Sequence, residues 1–297
     1  MSASPRPSFG SRARTLAGVA RSLKTYYLGR ERRRAMDRLY RGFVRAGDLV
    51  LDVGSHVGDR VGSFRRLGAR VVAVEPQPAL CAVLRLLYGR DPSVSIEPVA
   101  IGAHAGEIEL FLNLANPTVS TASGAFIAAA QGAAGWEGQV WDARLRVAQT
   151  TLDALIERYG LPSFIKLDVE GFEAEALAGL SRPVRGLSFE LTTIQRGVAH
   201  ACLAACSALG SGRYRYNAAL GESQRWALDR WCSASEIAAW LDALPHEANS
   251  GDIYAILPGE AGLVSVSSVG PENRAVDLPT ASPIGEGCIA VERGLHR

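Results

Sequence analysis

Two short stretches hold residues whose types and spacing can do chemistry. The first is Phe164-Ile165-Lys166-Leu167-Asp168-Val169-Glu170-Gly171. An apolar run is interrupted by a lysine, then two carboxylates flank one residue, then a glycine allows a turn. Lysine occurs only at Lys24 and Lys166, against thirty arginines. A chain that otherwise uses arginine and keeps a compact ammonium at Lys166 suggests a buried point charge. Asp168 and Glu170 fall at the C-terminal end of a predicted strand, the side on which open α/β sheets bind ligands. Three roles are open to them. Asp168 takes a proton from a hydroxyl, the two acids hold a divalent ion, or they form a structural pair with Lys166 and backbone amides.

The second stretch, Asp48 to Arg60, reads DLVLDVGSHVGDR. An apolar strand stops at Gly54 and becomes a loop punctuated again at Gly58. Glycines there let backbone approach a ligand where a strand feeds a helix. Glu75 follows 21 positions after Gly54, at the end of the next predicted strand. In a doubly wound sheet such an acid lies beside the first loop, where a ribose would sit. The glycine spacing, Gly54-x-x-x-Gly58-x-x-x-Gly62, does not match the dinucleotide fingerprint, and no G-x-x-x-x-G-K-[ST] run exists. A nucleoside cofactor without pyrophosphate fits better, and S-adenosylmethionine is the leading candidate.

These residues must be positioned by alternating elements. Strands are predicted at 49–53, 70–74, 94–96, 164–167 and 186–191, with helices near 60–67, 79–88 and 173–180 between them, implying a parallel sheet with right-handed crossovers. A capping box at Ser233-x-x-Glu236 opens a helix, and 253–257 is the last predicted strand. Residues 116–138 are rich in Gly, Ala, Ser and Thr and read as a long loop or lid. The acceptor site is expected there and near Glu190, from Ser120, Thr121, Trp136 and Glu190, with Asn116 and Trp141 close by. Both tryptophans either pack a substrate face or anchor the loop.

Composition fits a globular chain: 297 residues, 47% hydrophobic and 21% charged. Neither a transmembrane run nor a signal-peptide core is apparent, and the five cysteines are expected as thiols of a reducing compartment, so a cytoplasmic location is expected. Histidines are scattered, which gives zinc little support. Charge is uneven. Residues 1–46 carry +10 and the remainder −8. The basic stretch is either a solvated helix with a ragged start or a contact for nucleic acid, an anionic surface or an acidic carrier protein. The expected division is a disordered basic arm over 1–15, a helical segment over 16–46, the catalytic domain over 47–258 and a flexible tail over 259–297.

Five blocks together carry a resemblance: Asp52-Val53-Gly54 with Gly58-Asp59; Val74-Glu75-Pro76; Val99-Ala100-Ile101-Gly102; Thr151-Leu152-Asp153; and Ile165 through Glu173, followed by Leu177-Ala178-Gly179. In order and spacing they resemble the FkbM family of S-adenosylmethionine-dependent methyltransferases, over roughly Asp48 to Leu257. The resemblance implies a Rossmann-like class I methyltransferase fold: α/β, a mostly parallel twisted sheet with helices on both faces and a C-terminal antiparallel strand pair. It implies S-adenosyl-L-methionine as cofactor and a small-molecule acceptor such as a natural product or sugar, methylated on a hydroxyl. The cofactor would lie on Asp52, Gly54, Ser55, His56, Gly58, Glu75, Pro76, Val99 and Ala100, with Glu75 on the ribose hydroxyls and Glu97 to Ala100 beside the adenine. Lys166, Asp168 and Glu170 would form the reacting end. Two positions depart from the family: Ser55-His56 stands where Ala-Asn is frequent, and Arg60 follows Gly58-Asp59. Two other readings are a nucleic-acid methyltransferase that uses the basic arm and a non-catalytic adenosyl-binding scaffold.

Overall fold

A computed structural model of the chain describes residues 9–258. The expected tail at 259–297, residues 1–8 of the expected basic arm and Cys288 lie outside the described residues.

The chain opens with helices α1 (Phe9–Tyr27) and α2 (Arg30–Tyr40). There follow β1 (Leu49–Val53), α3 (Asp59–Arg66), β2 (Arg70–Val74), α4 (Pro78–Tyr88) and β3 (Val94–Glu97). Next come β4 (Ala100–Ile101), β5 (Gly106–Leu112), α5 (Gly124–Ala130) and β6 (Ala143–Thr150). The last part holds α6 (Leu152–Tyr159), β7 (Phe164–Leu167), α7 (Glu173–Ala178), β8 (Gly186–Thr192), α8 (Arg196–Leu209), β9 (Arg215–Leu220), α9 (Ala234–Ala243) and β10 (Ser250–Ile256).

Seven strands form one sheet in the order β3-β2-β1-β7-β8-β10-β9. The run from β3 to β8 is parallel, and β10 inserts antiparallel to both β8 and β9. β1 shows why. Its five residues are all buried, as both-faces-covered parallel strands require. Leu49, Leu51 and Val53 point into one core with Leu152, Leu177 and Leu203, whereas Val50 joins Met36, Phe64 and Leu84 on the opposite face. Helices therefore cover both faces of a Rossmann-like α/β sheet. From β1 the chain passes to β2 on one side and returns as β7 on the other. This reversal opens a crevice at the strands' C-terminal ends.

Three expectations change. The 1–15 arm is helical from Phe9 onward, and 16–46 is two helices rather than one, broken at Leu28-Gly29. α1 is held because Val19, Leu23, Tyr26 and Tyr27 form an i, i+4, i+7, i+8 stripe against Val57 and Leu80. Gly18 lets α1 also pack close on the 114–117 segment, since a Cβ there would lie 2.8 Å from the Leu114 carbonyl. The 116–138 segment is not a bare loop: α5 forms behind the Ser123 cap, and Val119, Phe126, Ala130 and Trp136 make a small core. β4, β6 and β5 form a separate three-stranded sheet. Among the described residues no helix is long and apolar enough to cross a membrane.

Candidate active site

The crevice holds a cavity of about 720 Å³. Its first wall is made by the ends of β1 and β2. The amides of Gly54 and Ser55 both donate to the Val74 carbonyl, at 2.9 and 3.0 Å, which folds the glycine loop over β2. Glu75 follows directly. Its carboxylate accepts from the His56 amide at 3.0 Å and the Gln77 amide at 2.8 Å. Burial pushes its pKa up to about 7, although both amides act to lower it. Gly54 has φ +81°, and a Cβ there would stand 1.8 Å from the Asp168 carbonyl. Only glycine lets the β1 and β7 loops meet at that distance.

The second wall is made by the ends of β7 and β8. Lys166 lies in a four-residue strand with no exposed position. A buried ammonium needs partners, and Lys166 Nζ has Asp252 at 2.7 Å and Asp168 at 3.1 Å. Burial opposes the charge on Lys166, but the two carboxylates outweigh it and raise the pKa. Burial likewise would raise Asp168, yet Lys166 and Arg60 hold it below the usual carboxylate range. Glu170 and Glu190 differ. Burial and the neighbouring acids push both well above that range. An oxygen of each carboxylate is buried without a hydrogen-bond partner. Glu170 has φ +56°, and Thr121 Oγ1 donates to its carbonyl at 2.7 Å.

The roof comes from regions with no motif. Tyr26 of α1 meets His56 edge to face at 5.4 Å, and the Arg32 guanidinium lies 4.8 Å from the centre of the Tyr26 ring. Arg32 pairs with Asp59 at 3.0 Å and Glu222 at 2.8 Å, and Arg60 reaches the same two acids. Burial pushes the His56 imidazole down to about 4, so it is neutral at pH 7.

Of the sequence-predicted residues, Gly54, Ser55, His56, Glu75, Pro76, Val99, Ala100, Ser120, Trp136, Asp168, Glu170 and Glu190 all line the cavity. Asp52, Gly58, Lys166 and Thr121 do not. Asp52 is wholly buried in β1 beneath the loop, where burial raises its pKa to about 7. Thr121 and Lys166 act one layer back, on Glu170 and on Asp168 and Asp252. Trp136 is 6% exposed, stacks edge to face on Phe126 at 5.1 Å and donates to Asn249 Oδ1 at 3.0 Å. Trp141 donates to the Val119 carbonyl at 2.8 Å. Both indoles therefore anchor the 116–138 segment. Sequence reasoning missed Tyr26, Arg32, Glu222 and Asp252, of which only Tyr26 carries a signal, the α1 stripe.

A family model described as the methyltransferase FkbM domain matches residues 52–244. The search of curated proteins finds no match. Among solved structures, the chain is similar to a TehB-like SAM-dependent methyltransferase from Corynebacterium glutamicum, at 13% identity and TM-score 0.42, covering 84% of this chain and 99% of that one. It is also similar to an O-methyltransferase from Bacillus cereus in complex with SAH, at 14% identity and TM-score 0.39, covering 85% and 92%. A third, the O-methyltransferase TomG from Streptomyces achromogenes in complex with SAM, has 10% identity and TM-score 0.36, with 86% and 92% covered.

Proposed function

The chain belongs to the FkbM methyltransferase family, with S-adenosyl-L-methionine as its methyl donor, and on that premise we propose that it methylates a hydroxyl of a small molecule. The observation that carries this reading is the division of one cavity. On one wall a buried carboxylate is held by two amides. On the other stand acids that no amide holds.

The residues suit the donor. Glu75 keeps lone pairs free to accept both ribose hydroxyls while its amide clamps hold it in place. Gly54, Ser55 and His56 border the methionine portion, and Val99, Ala100 and Ile101 give the adenine an apolar wall. Asp168 faces the reacting centre. When bound, S-adenosylmethionine would supply a methyl group activated by its sulfonium, which an acceptor oxygen aligned opposite the carbon–sulfur bond would take with release of S-adenosylhomocysteine. The hydroxyl proton passes to a carboxylate. Asp168 stays ionised at neutral pH beside Lys166 and Arg60, so it is able to accept it. Orientation supplies about 7–11 kcal/mol of such a barrier reduction, and a base a further factor of about 10²–10⁴.

Calorimetry tests the reading directly. Wild type is expected to bind S-adenosylmethionine in the micromolar range and to ignore NAD, and Glu75→Ala is expected to lose binding. Transfer of labelled methyl to hydroxylated acceptors, but not to their methyl ethers, would then fix oxygen as the target. Asp168→Asn should lose turnover by about 10²–10⁴ and keep cofactor affinity. Absence of donor binding by the wild type overturns the proposal.

A further inference from the structure

We propose that Asp168, Glu170 and Glu190 together hold one divalent cation of the magnesium, manganese or calcium type at the acceptor end of the cavity. What the ion does there, taking up an acceptor oxygen and making its hydroxyl more acidic, rests on the methyltransferase reading above; the binding site itself does not.

One carboxylate oxygen from each of the three residues lies within 4.8 Å of the others. Oxygens bound to a common cation at about 2.1–2.4 Å stand at most about 4.2–4.8 Å apart, when they sit on opposite sides of it. The three acids are thus already near a ligating arrangement. A second observation comes from Glu170. This residue is only 7% exposed, and its Oε2 is buried without any hydrogen-bond partner, although it belongs to the cavity wall. Glu190 Oε2 is orphaned in the same way. A buried carboxylate left unpaired is costly, and native structures rarely retain one without a ligand.

No side chain supplies the missing charge. Lys166 is taken up by Asp168 and Asp252, and among the described residues no ion pair reaches Glu170 or Glu190. Glu173, a fourth acid nearby, accepts from the Val169 amide at 2.9 Å and lies outside the cavity. The Glu170 backbone is held at φ +56°, and its carbonyl accepts from Thr121 Oγ1 at 2.7 Å. A donor set of oxygens alone selects a hard cation over zinc or copper. Three carboxylates leave coordination positions for an acceptor oxygen and water.

Manganese alone serves as the probe. The full chain is stripped with chelator and titrated with Mn²⁺ while the free ion is followed by electron paramagnetic resonance. One stoichiometric site is expected, emptied by excess Mg²⁺ or Ca²⁺. Affinity should fall at least tenfold in Glu170→Gln and in Glu190→Gln and stay unchanged in Glu109→Gln on the exposed edge sheet. Should a glutamine variant fail to fold, Glu190→Asp keeps the charge but withdraws the oxygen by one methylene, and the same loss is expected. No stoichiometric site in the wild type, or wild-type affinity in the Glu190 variants, overturns the proposal; the acids then share a proton or meet an ammonium of the acceptor. Donor binding is measured in parallel. Bound S-adenosylmethionine without Mn²⁺ defeats the cation site alone, whereas bound Mn²⁺ without donor defeats the methyltransferase reading and leaves the site standing.

Discussion

Glu75 and Glu170 leave the C-terminal ends of the two strands that flank β1, and both are buried. Their surroundings are opposite. Two backbone amides hold the Glu75 carboxylate, so its demands are met before any ligand arrives. One oxygen of Glu170 has no partner, and its neighbours Asp168 and Glu190 are also acids. The wall proposed for the donor is thus organised by the main chain. The wall proposed for the acceptor is organised by side chains whose charges are balanced only in part, by Lys166 and Arg60.

The comparison breaks most severely at Lys166. Replacing it by methionine preserves volume but leaves Asp252 buried without its cation and the half-buried Asp168 with only Arg60 at 4.0 Å. Breaking a buried pair in this way costs about 3–5 kcal/mol. The denaturation midpoint should fall accordingly, and a midpoint within about 1 kcal/mol of wild type would mean that the two acids are already neutral or solvated. The next effect is smaller and one-sided. In Glu75→Gln the side-chain amide must turn an N–H toward the His56 or Gln77 amide, donor against donor. Donor affinity should drop by tenfold to a hundredfold, or about 1.4–2.7 kcal/mol. Glu170→Gln makes no such clash and should leave donor affinity within about threefold. Equal losses in the two variants would show that the walls are not separate sites.

The wall proposed for the donor was also the legible one. The Gly54 turn, the Glu75 strand end and the strand order around β1 follow from local patterns of apolar runs, glycines and strand-end acids. The Lys166-x-Asp168-x-Glu170 block was legible for the same reason, being contiguous. Glu190 was placed beside it because β8 was read as the neighbouring strand, and the register pairs Leu167 with Phe189. What stayed hidden is assembled from a distance. Asp252 neutralises Lys166 from 86 positions away, and Glu222 reaches Arg32 across 190. No local pattern announces either contact. Only the start of α1 was concealed by composition: its basic and small residues up to Thr15 read as disorder, whereas 16–27 fell in the segment read as helical, and the structure gives α1 a buried face of Val19, Leu23, Tyr26 and Tyr27. In α5 an alanine-rich run read as loop, because its cap at Ser123 is followed by glycine rather than an apolar residue.

The subtlest difference between the walls is in pH dependence. Burial first, and neighbouring acids second, raise the Glu190 carboxyl above its usual range. The folded state then retains a proton at a pH where the unfolded chain has released it. Stability from this group is therefore full below about pH 4 and declines as pH rises toward the folded value. Glu75, raised to about 7, contributes the same sign, and His56, lowered to about 4, contributes the opposite sign between about 4 and 6.5. Comparing wild type with Glu190→Gln cancels both. The variant has nothing to ionise at this position, so its melting temperature should exceed that of wild type by an amount that grows from pH 5 to pH 8. A saturating divalent cation should shrink the gap by supplying the wild-type carboxylate with the charge it lacks. A gap that is flat across this range would mean that Glu190 is paired or hydrated in solution, and the two walls would then be alike in electrostatics and differ only in shape.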